Sequence, residues 1–212
     1  MKNKRRPARI RTPKAVIFDI GRVIVRLQPE RALEPLAAGA RGDRTAEAIW
    51  AAVQKDALWN DWQEGRMQPR EWHQHLTQQL NISLGFPEFC AAWNRALHPE
   101  TILEDSLFAK LAARCRLAVL SNTDPLHSAA LEAEFPFLRH FPTRIYSCRV
   151  GASKPARAIY QAALDAVGVP AAEALYIDDI PEYVEAARQV GLDAIRFEEP
   201  SQLLREFSRR GL

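Results

Sequence analysis

The segment Val16-Ile17-Phe18-Asp19-Ile20-Gly21 decides the expected fold, because an apolar, β-branched run ends abruptly in an aspartate and a glycine. Residues 14–19 are typical of a short buried strand, which Gly21 terminates. Such strands alternate with stretches of helical periodicity, which predicts an α/β fold with a doubly wound parallel sheet. The strand pattern recurs at 116–121, 173–178 and 193–197, with 144–147 as a further candidate, and the helical stretches are 99–113, 124–134, 155–167, 181–190 and about 200–209.

Residues 28–98 differ from the rest of the chain, because they contain all five tryptophans and no clear strand. Glycine and proline residues divide this region into about four predicted helices. We therefore expect a helical cap at 28–98, inserted after the first strand, above a core formed by 14–27 and 99–212. The tryptophans are expected to form the cap's own core. The cap residues considered for contact with a substrate are Trp59, Trp62 and Glu64.

The composition favours a globular protein, since 47% of the 212 residues are hydrophobic. No apolar stretch approaches the roughly 20 residues needed to span a bilayer, and the basic start of the chain lacks the apolar run of a secretory signal. The three cysteines, Cys90, Cys115 and Cys148, form neither a disulfide framework nor a zinc motif. A cytoplasmic protein is therefore expected.

Positive charge is concentrated at the start of the chain. Residues 1–14 contain seven of the 29 Lys and Arg residues and no acid, which leaves 22 basic and 26 acidic side chains elsewhere. No aromatic residue interleaves these charges, so we interpret 1–13 as a basic, flexible leader and not as a nucleic-acid-binding arm. Neither nucleic acid nor a membrane is expected as a partner, and the sequence does not determine the oligomeric state.

Polar side chains follow three of the predicted strands, namely Asp19, the pair Ser121-Asn122, and the pair Asp178-Asp179. Ligands of an open parallel sheet bind beyond the carboxyl ends of its strands, so these side chains are expected to share one crevice. Asp19 is the candidate nucleophile, because a carboxylate can attack phosphorus. Three carboxylates repel one another unless a cation holds them, and Mg²⁺ prefers such oxygen ligands.

A hydroxyl, an amide and an ammonium complete the predicted site. Ser121 and Asn122 can donate to phosphate oxygens, and Lys154, before Pro155 at a helix start, can stabilise a phosphoryl group. Each residue alone also has an ordinary structural explanation, such as a turn or a helix cap. Together they predict a phosphoryl-transfer hydrolase that acts on a small-molecule phosphoester.

These motifs resemble those of the haloacid dehalogenase superfamily, whose members are mostly magnesium-dependent phosphatases. The insert between the first two motifs looks like the family's helical cap. Residues 62–67 and 154–161 look most like the branch that contains bacterial glucose-1-phosphate phosphatase, and the phosphatase domain of soluble epoxide hydrolases is similar too. The matching segments, in the family's order, are Phe18–Gly21, Ser121–Thr123, Gly151–Pro155 and Asp178–Asp179.

The resemblance implies a role for each matching residue. Asp19 would be the nucleophile and a magnesium ligand, with the backbone carbonyl of Gly21 and the carboxylate of Asp179 as further ligands. Asp178 would hold metal-bound water, and the cap would choose the substrate and exclude water. The phosphate-binding residues implied in the same way are Ser121, Asn122 and Lys154, and Lys154 would also assist catalysis.

One position departs from the family's pattern. Most phosphatases of the family carry an aspartate two residues after the nucleophile, and this chain has Gly21 there. General acid–base help is typically worth about 10²–10⁴-fold in rate. Its loss leaves three alternatives: a substrate with a good leaving group, such as an anomeric sugar phosphate; a substitute group among Arg22, Asp124 and His127; or slow turnover. Arg22 could also bind a second anionic group or point to solvent.

Three functions remain open on this basis. The leading hypothesis is a magnesium-dependent phosphatase that hydrolyses a sugar phosphate through an aspartyl-phosphate intermediate. A 2-haloacid dehalogenase is the first alternative. The dehalogenase pattern, however, has an aromatic residue two positions after the nucleophile, and dehalogenases need no metal. This chain instead has the pair Asp178-Asp179, which favours a metal-dependent phosphatase. The second alternative is a catalytically weak binding or regulatory protein on the same fold, which Gly21 favours.

Overall fold

A computed structural model describes residues 12–42 and 45–212, so most of the predicted leader, residues 1–11, lies outside the described residues. Seven strands are present in this part of the chain. In chain order they are β1 (Ala15–Phe18), β2 (Val25–Leu27), β3 (Leu97–Thr101), β4 (Arg116–Ser121), β5 (Thr143–Tyr146), β6 (Ala174–Asp178) and β7 (Asp193–Arg196). The α-helices are α1 (Pro29–Ala38), α2 (Ala46–Gln54), α3 (Trp59–Gln63), α4 (Pro69–Leu80), α5 (Phe86–Asn94), α6 (Asp105–Ala112), α7 (Pro125–Glu134), α8 (Ser147–Val150), α9 (Arg157–Val167), α10 (Pro181–Val190) and α11 (Pro200–Arg209).

Five parallel strands form the central sheet, in the order β5-β4-β1-β6-β7. This confirms the predicted α/β fold, including the strand expected near residues 144–147. β1 is the middle strand, and Val16 lies opposite Leu117 of β4 and Leu175 of β6. The strand is fully buried because helices cover both faces of the sheet, which explains its uninterrupted apolar sequence.

The two faces of β1 belong to two separate apolar cores. Val16 and Phe18 point to one face, where Phe18 packs edge-on against Phe108 of α6 and Phe207 of α11. Ile17 points to the other face and shares a core with residues of α9 and α10. Successive side chains of a strand alternate between faces, so four residues suffice to anchor helices on both sides.

The predicted helix at 99–113 is wrong in its first part. Leu97–Thr101 forms β3, which pairs antiparallel with β2, and the helix begins only at Asp105. Long-range pairing decides the conformation here and overrides local propensity. Pro99 is compatible with this strand because a two-stranded ribbon leaves one side of each strand unpaired.

Five helices, α1 to α5, lie between β2 and β3, where the sequence predicts about four; the short α3 accounts for the difference. We call this helical region the insert. The tryptophans form its own core, as predicted: Trp62 and Trp72 are fully buried, and their rings stack at 5.5 Å. None of the helices among residues 12–42 and 45–212 has the length and apolar character needed to cross a membrane.

The insert rests on the core at Gly65. Its φ of +71° suits glycine, and a Cβ atom there would lie 2.0 Å from the carbonyl oxygen of Cys148 in α8, which is impossibly close. Beside this contact, Ser147 Oγ donates a hydrogen bond of 2.7 Å to the carbonyl of Gln63. The same hydroxyl accepts from the Thr123 amide at 2.8 Å. One buried serine therefore connects the insert to the loop after β4.

Candidate active site

Adjacent strand ends bring the predicted polar residues together. Asp19 directly follows β1, Ser121 ends β4 and Asp178 ends β6. Because β4 and β6 flank β1, all three residues lie at the carboxyl edge of the sheet. Asp19 and Asp178 are buried, so their charges require partners.

Lys154 supplies that partner from the loop between α8 and α9. Its Nζ lies 2.8 Å from Asp19 Oδ1 and 2.7 Å from Asp178 Oδ2, and the side chain is 1% exposed. The ammonium also lies 5.0 Å from the ring centroid of Tyr183, within the range of a cation–π contact. One cation thus joins two carboxylates that come from different strands.

Asn122 holds the backbone of Lys154 in place. The Lys154 amide donates to Asn122 Oδ1 at 2.7 Å, and Asn122 Nδ2 donates to the Lys154 carbonyl at 3.0 Å. This pair of bonds engages both polar atoms of the Asn122 side chain. The neighbouring Ser121 hydroxyl makes only a 3.5 Å contact with the Asn122 carbonyl, which leaves it available. That these two residues bind phosphate stays a prediction.

Asp178 is fully hydrogen-bonded. Its Oδ1 accepts from the Ile180 amide at 2.8 Å, and its Oδ2 accepts from Lys154 Nζ and from the Tyr176 hydroxyl. Sequence reasoning missed Tyr176. The signal was its position two residues before Asp178 on one strand, which places both side chains on the same face of the sheet.

Asp179 is less completely partnered. Its Oδ2 forms an ion pair of 2.9 Å with Arg22 Nε, whereas its Oδ1 is buried and has no hydrogen-bond partner among the described residues. Asp19, Asp178 and Asp179 each contribute an oxygen, and these oxygens lie within 4.8 Å of one another. Three hard oxygen donors this close together, from residues that include one with an unpartnered oxygen, fit a divalent cation.

The electrostatic environment alters the proton affinity of the cluster. Burial raises the pKa of Asp19 and the nearby Asp178 carboxylate adds to the rise, although Lys154 acts in the opposite direction. Burial also raises the pKa of Asp179, against the effect of Arg22. Burial alone would lower the pKa of Lys154, but the Asp19 and Asp178 carboxylates raise it above its usual value. A second cation at this site would therefore favour the charged carboxylates.

Two candidates for the missing acid have other partners. Asp124 caps α7, and its Oδ2 lies 2.8 Å from His127 Nδ1 and 3.0 Å from Trp93 Nε1. His127 Nε2 lies 3.0 Å from the Trp93 carbonyl. Asp124, His127 and Trp93, which we call the junction cluster, therefore join α7 to the end of the insert. Both side chains are engaged in this cluster, and that either of them replaces the missing acid stays a prediction.

The structure leaves little room for a side chain at the position of the missing acid. Gly21 lies in the turn after Asp19, and a Cβ atom there would lie 2.9 Å from Leu27 Cδ1. Among the insert residues considered for substrate contact, the prediction for Trp62 is wrong, because its side chain is buried in the core of the insert. Glu64 pairs with Arg66 at 2.5 Å, and Trp59 packs against other tryptophan rings.

The parallel sheet makes the chain an α/β protein. At the carboxyl ends of its adjacent strands, a lysine joins two carboxylates and a third carboxylate lies beside them, an arrangement typical of a hydrolase site. Residues 13–191 match the family of haloacid dehalogenase-like hydrolases, and the chain belongs to that family.

Individual relatives span the chain to different extents. D-ribitol-5-phosphate phosphatase of Bacteroides thetaiotaomicron is 22% identical over 189 residues, which cover 86% of this chain and 91% of that protein. Bifunctional epoxide hydrolase 2 of Sus scrofa is 33% identical over 70 residues, which are 33% of this chain and only 13% of that protein.

Solved structures of the family have the same fold. A haloacid dehalogenase (HAD) family enzyme from Bacteroides thetaiotaomicron, in complex with magnesium and inorganic phosphate, superposes with a TM-score of 0.79. It is 23% identical, and the match covers 90% of this chain and 98% of that one. L-2-haloacid dehalogenase from Xanthobacter autotrophicus matches with a TM-score of 0.62 at 20% identity, over 92% of this chain and 82% of that one.

Proposed function

We propose that this chain is a magnesium-dependent phosphatase of a small phosphorylated metabolite, of the sugar phosphate class. The observation that carries the proposal is the group of three carboxylates, Asp19, Asp178 and Asp179. Lys154 pairs with the first two, and Asp179 Oδ1 is buried without a hydrogen-bond partner among the described residues. The names of two relatives support it, one as D-ribitol-5-phosphate phosphatase and one as a HAD family enzyme in complex with magnesium and phosphate.

In this proposal an Asp19 oxygen attacks phosphorus, the bond from phosphorus to the ester oxygen breaks, and an aspartyl-phosphate forms. Water then hydrolyses the aspartyl-phosphate and regenerates the carboxylate. Lys154, held in place by Asn122, binds a phosphoryl oxygen, and Ser121 donates a hydroxyl to another. When bound, magnesium would be held by Asp19, Asp179 and the Gly21 carbonyl, near Asp178, and would offset phosphate charge.

Gly21 restricts the class of substrate. It has no side chain to protonate the leaving oxygen, and Asp124 and His127 are engaged in the junction cluster. The proton therefore comes from solvent, which favours a substrate whose leaving group is already good, such as an anomeric sugar phosphate.

We also propose that residues 28–98 act as the cap, above a core of 14–27 and 99–212. The cap would exclude water during transfer and select the substrate. A cytoplasmic location remains part of this proposal, and the three free cysteines support a reducing compartment.

A magnesium-supplemented screen of phosphorylated metabolites tests the function, with phosphate release as the readout. Asp19→Asn should abolish release, whereas Asp165→Asn, which changes an exposed aspartate of α9, should not. An active Asp19→Asn variant would contradict the assigned nucleophile. EDTA should stop the reaction; activity on a 2-haloacid that survives EDTA would instead favour the dehalogenase.

A further inference from the structure

Arg22 has a backbone conformation that is unusual for arginine. Its φ is 58°, in the left-handed region that glycine adopts readily and larger residues avoid. Arg22 lies in the turn after Asp19, where its amide donates a hydrogen bond of 2.7 Å to the Val25 carbonyl. Non-glycine residues in such conformations are concentrated at functional sites. The side chain at this position is therefore expected to have a use of its own.

The side chain of Arg22 pairs with one oxygen of Asp179. Arg22 Nε lies 2.9 Å from Asp179 Oδ2, and the arginine side chain is 58% exposed. An ion pair with so exposed a partner contributes little to stability, so fold stabilisation does not explain the contact. Its clearest effect is geometric: holding Oδ2 fixes the rotation of the carboxylate and hence the direction of Oδ1.

The other oxygen of Asp179 is shielded from solvent. Oδ1 is buried and lacks a hydrogen-bond partner within the part of the chain that the structure describes, and Asp179 belongs to the carboxylate group with Asp19 and Asp178. We propose that Arg22 is a positioning residue that presents Asp179 Oδ1 to the magnesium ion. This inference rests on the proposed function, because it takes the magnesium site from there.

Two effects of Arg22 on magnesium binding have opposite signs. Hydrogen-bond partners of metal-ligating carboxylates orient them, and their loss typically lowers metal affinity by about 10–100-fold. A guanidinium near a cation site also repels the ion, so its removal would raise the affinity. The direction of the change in an Arg22 variant therefore decides between positioning and simple repulsion.

Arg22→Gly is the informative variant, because glycine suits the left-handed backbone and removes the side chain. Magnesium chloride is titrated into metal-free protein by calorimetry, without substrate. We expect the magnesium affinity of Arg22→Gly to be lower than that of the wild type by about 10-fold or more. Arg26→Ala is the matched control, because it removes an exposed arginine from the adjacent β2, and its affinity should be unchanged.

Magnesium affinity equal to or tighter than wild type in Arg22→Gly would overturn the proposal. If that variant does not fold, as judged by thermal unfolding without magnesium, Arg22→Ala removes the same contact and must give the same weakening. A wild type that binds no magnesium and hydrolyses no phosphoester would refute the proposed function together with this inference. An active, magnesium-binding wild type with an unaffected Arg22 variant would refute this inference alone.

Discussion

Two of the buried ionic clusters among residues 12–42 and 45–212 differ in how completely their polar atoms are paired. In the junction cluster, both carboxylate oxygens of Asp124 and both ring nitrogens of His127 have partners. In the cluster at the strand ends, Lys154 joins Asp19 and Asp178, but Asp179 Oδ1 has no partner among the described residues. A completely satisfied cluster serves the fold, whereas an unsatisfied polar atom at a strand end leaves a place for a ligand.

The largest effect is expected from Lys154→Met, which leaves Asp19 and Asp178 buried without their cation. Removing one partner of a buried pair typically costs roughly 3–5 kcal/mol, and we expect this loss in the free energy of unfolding in urea with EDTA. Phosphate release should disappear as well. Lys110→Met, at an exposed position near the end of α6, is the control. A loss below about 1 kcal/mol, the scale of an exposed ion pair, would contradict the role given to Lys154.

Adding the missing acid is a second test of the cluster at the strand ends. Gly21→Asp, combined with Leu27→Ala to make room, places a carboxyl group two residues after Asp19. We expect turnover of a simple alkyl phosphate to rise by about 10²-fold, the lower end of general-acid effects. Substrates with good leaving groups should gain less. Leu27→Ala alone is the control, and equal rates in both variants would show that Gly21 does not limit the reaction.

The junction cluster should respond to substitution in stability and not in chemistry. Asp124→Asn removes the charge that pairs with His127 and weakens the bond from Trp93, so we expect a loss of about 2 kcal/mol in unfolding free energy. In the folded variant, turnover at saturating substrate should remain close to wild type. A folded Asp124→Asn protein without activity would show that the junction cluster also takes part in the reaction, contrary to this prediction.

The smallest effect is a pH dependence of the junction cluster. Burial alone would lower the pKa of His127, but the Asp124 carboxylate raises it above 6.5. The stabilisation is therefore complete below the pKa of unfolded histidine and is lost as pH rises through the folded pKa. Burial opposes ionisation of Asp124, yet His127 lowers its pKa, so that contribution is lost as pH falls through the folded value.

Urea unfolding of the wild type and of His127→Gln measures this pH dependence, at pH values from below the folded pKa of Asp124 to above the folded pKa of His127. The difference in unfolding free energy between them should shrink on the alkaline side of the folded histidine pKa. A difference that stays constant with pH would show that His127 is not charged in the folded protein.

The sequence predicts the sheet well, because buried strands and their polar ends are local patterns. Residues 14–19 and 173–178 correspond to β1 and β6, and the helix expected at 181–190 is α10. The sequence could not show β3, since Leu97–Thr101 becomes a strand only through its pairing with β2. The contact between Arg22 and Asp179 was hidden for the same reason, because it joins residues far apart in the chain.

The ribbon of β2 and β3 has a consequence for how this architecture can change. The chain enters the insert along β2 and returns along β3, so Leu27 and Leu97 are paired neighbours. The two ends of the insert are therefore adjacent to each other in the β2–β3 ribbon. A module attached in this way can be exchanged, lengthened or cut back to a tight turn while the register of the five-stranded sheet is preserved. Under the proposed function, substrate range and reaction chemistry would then evolve on separate parts of the gene.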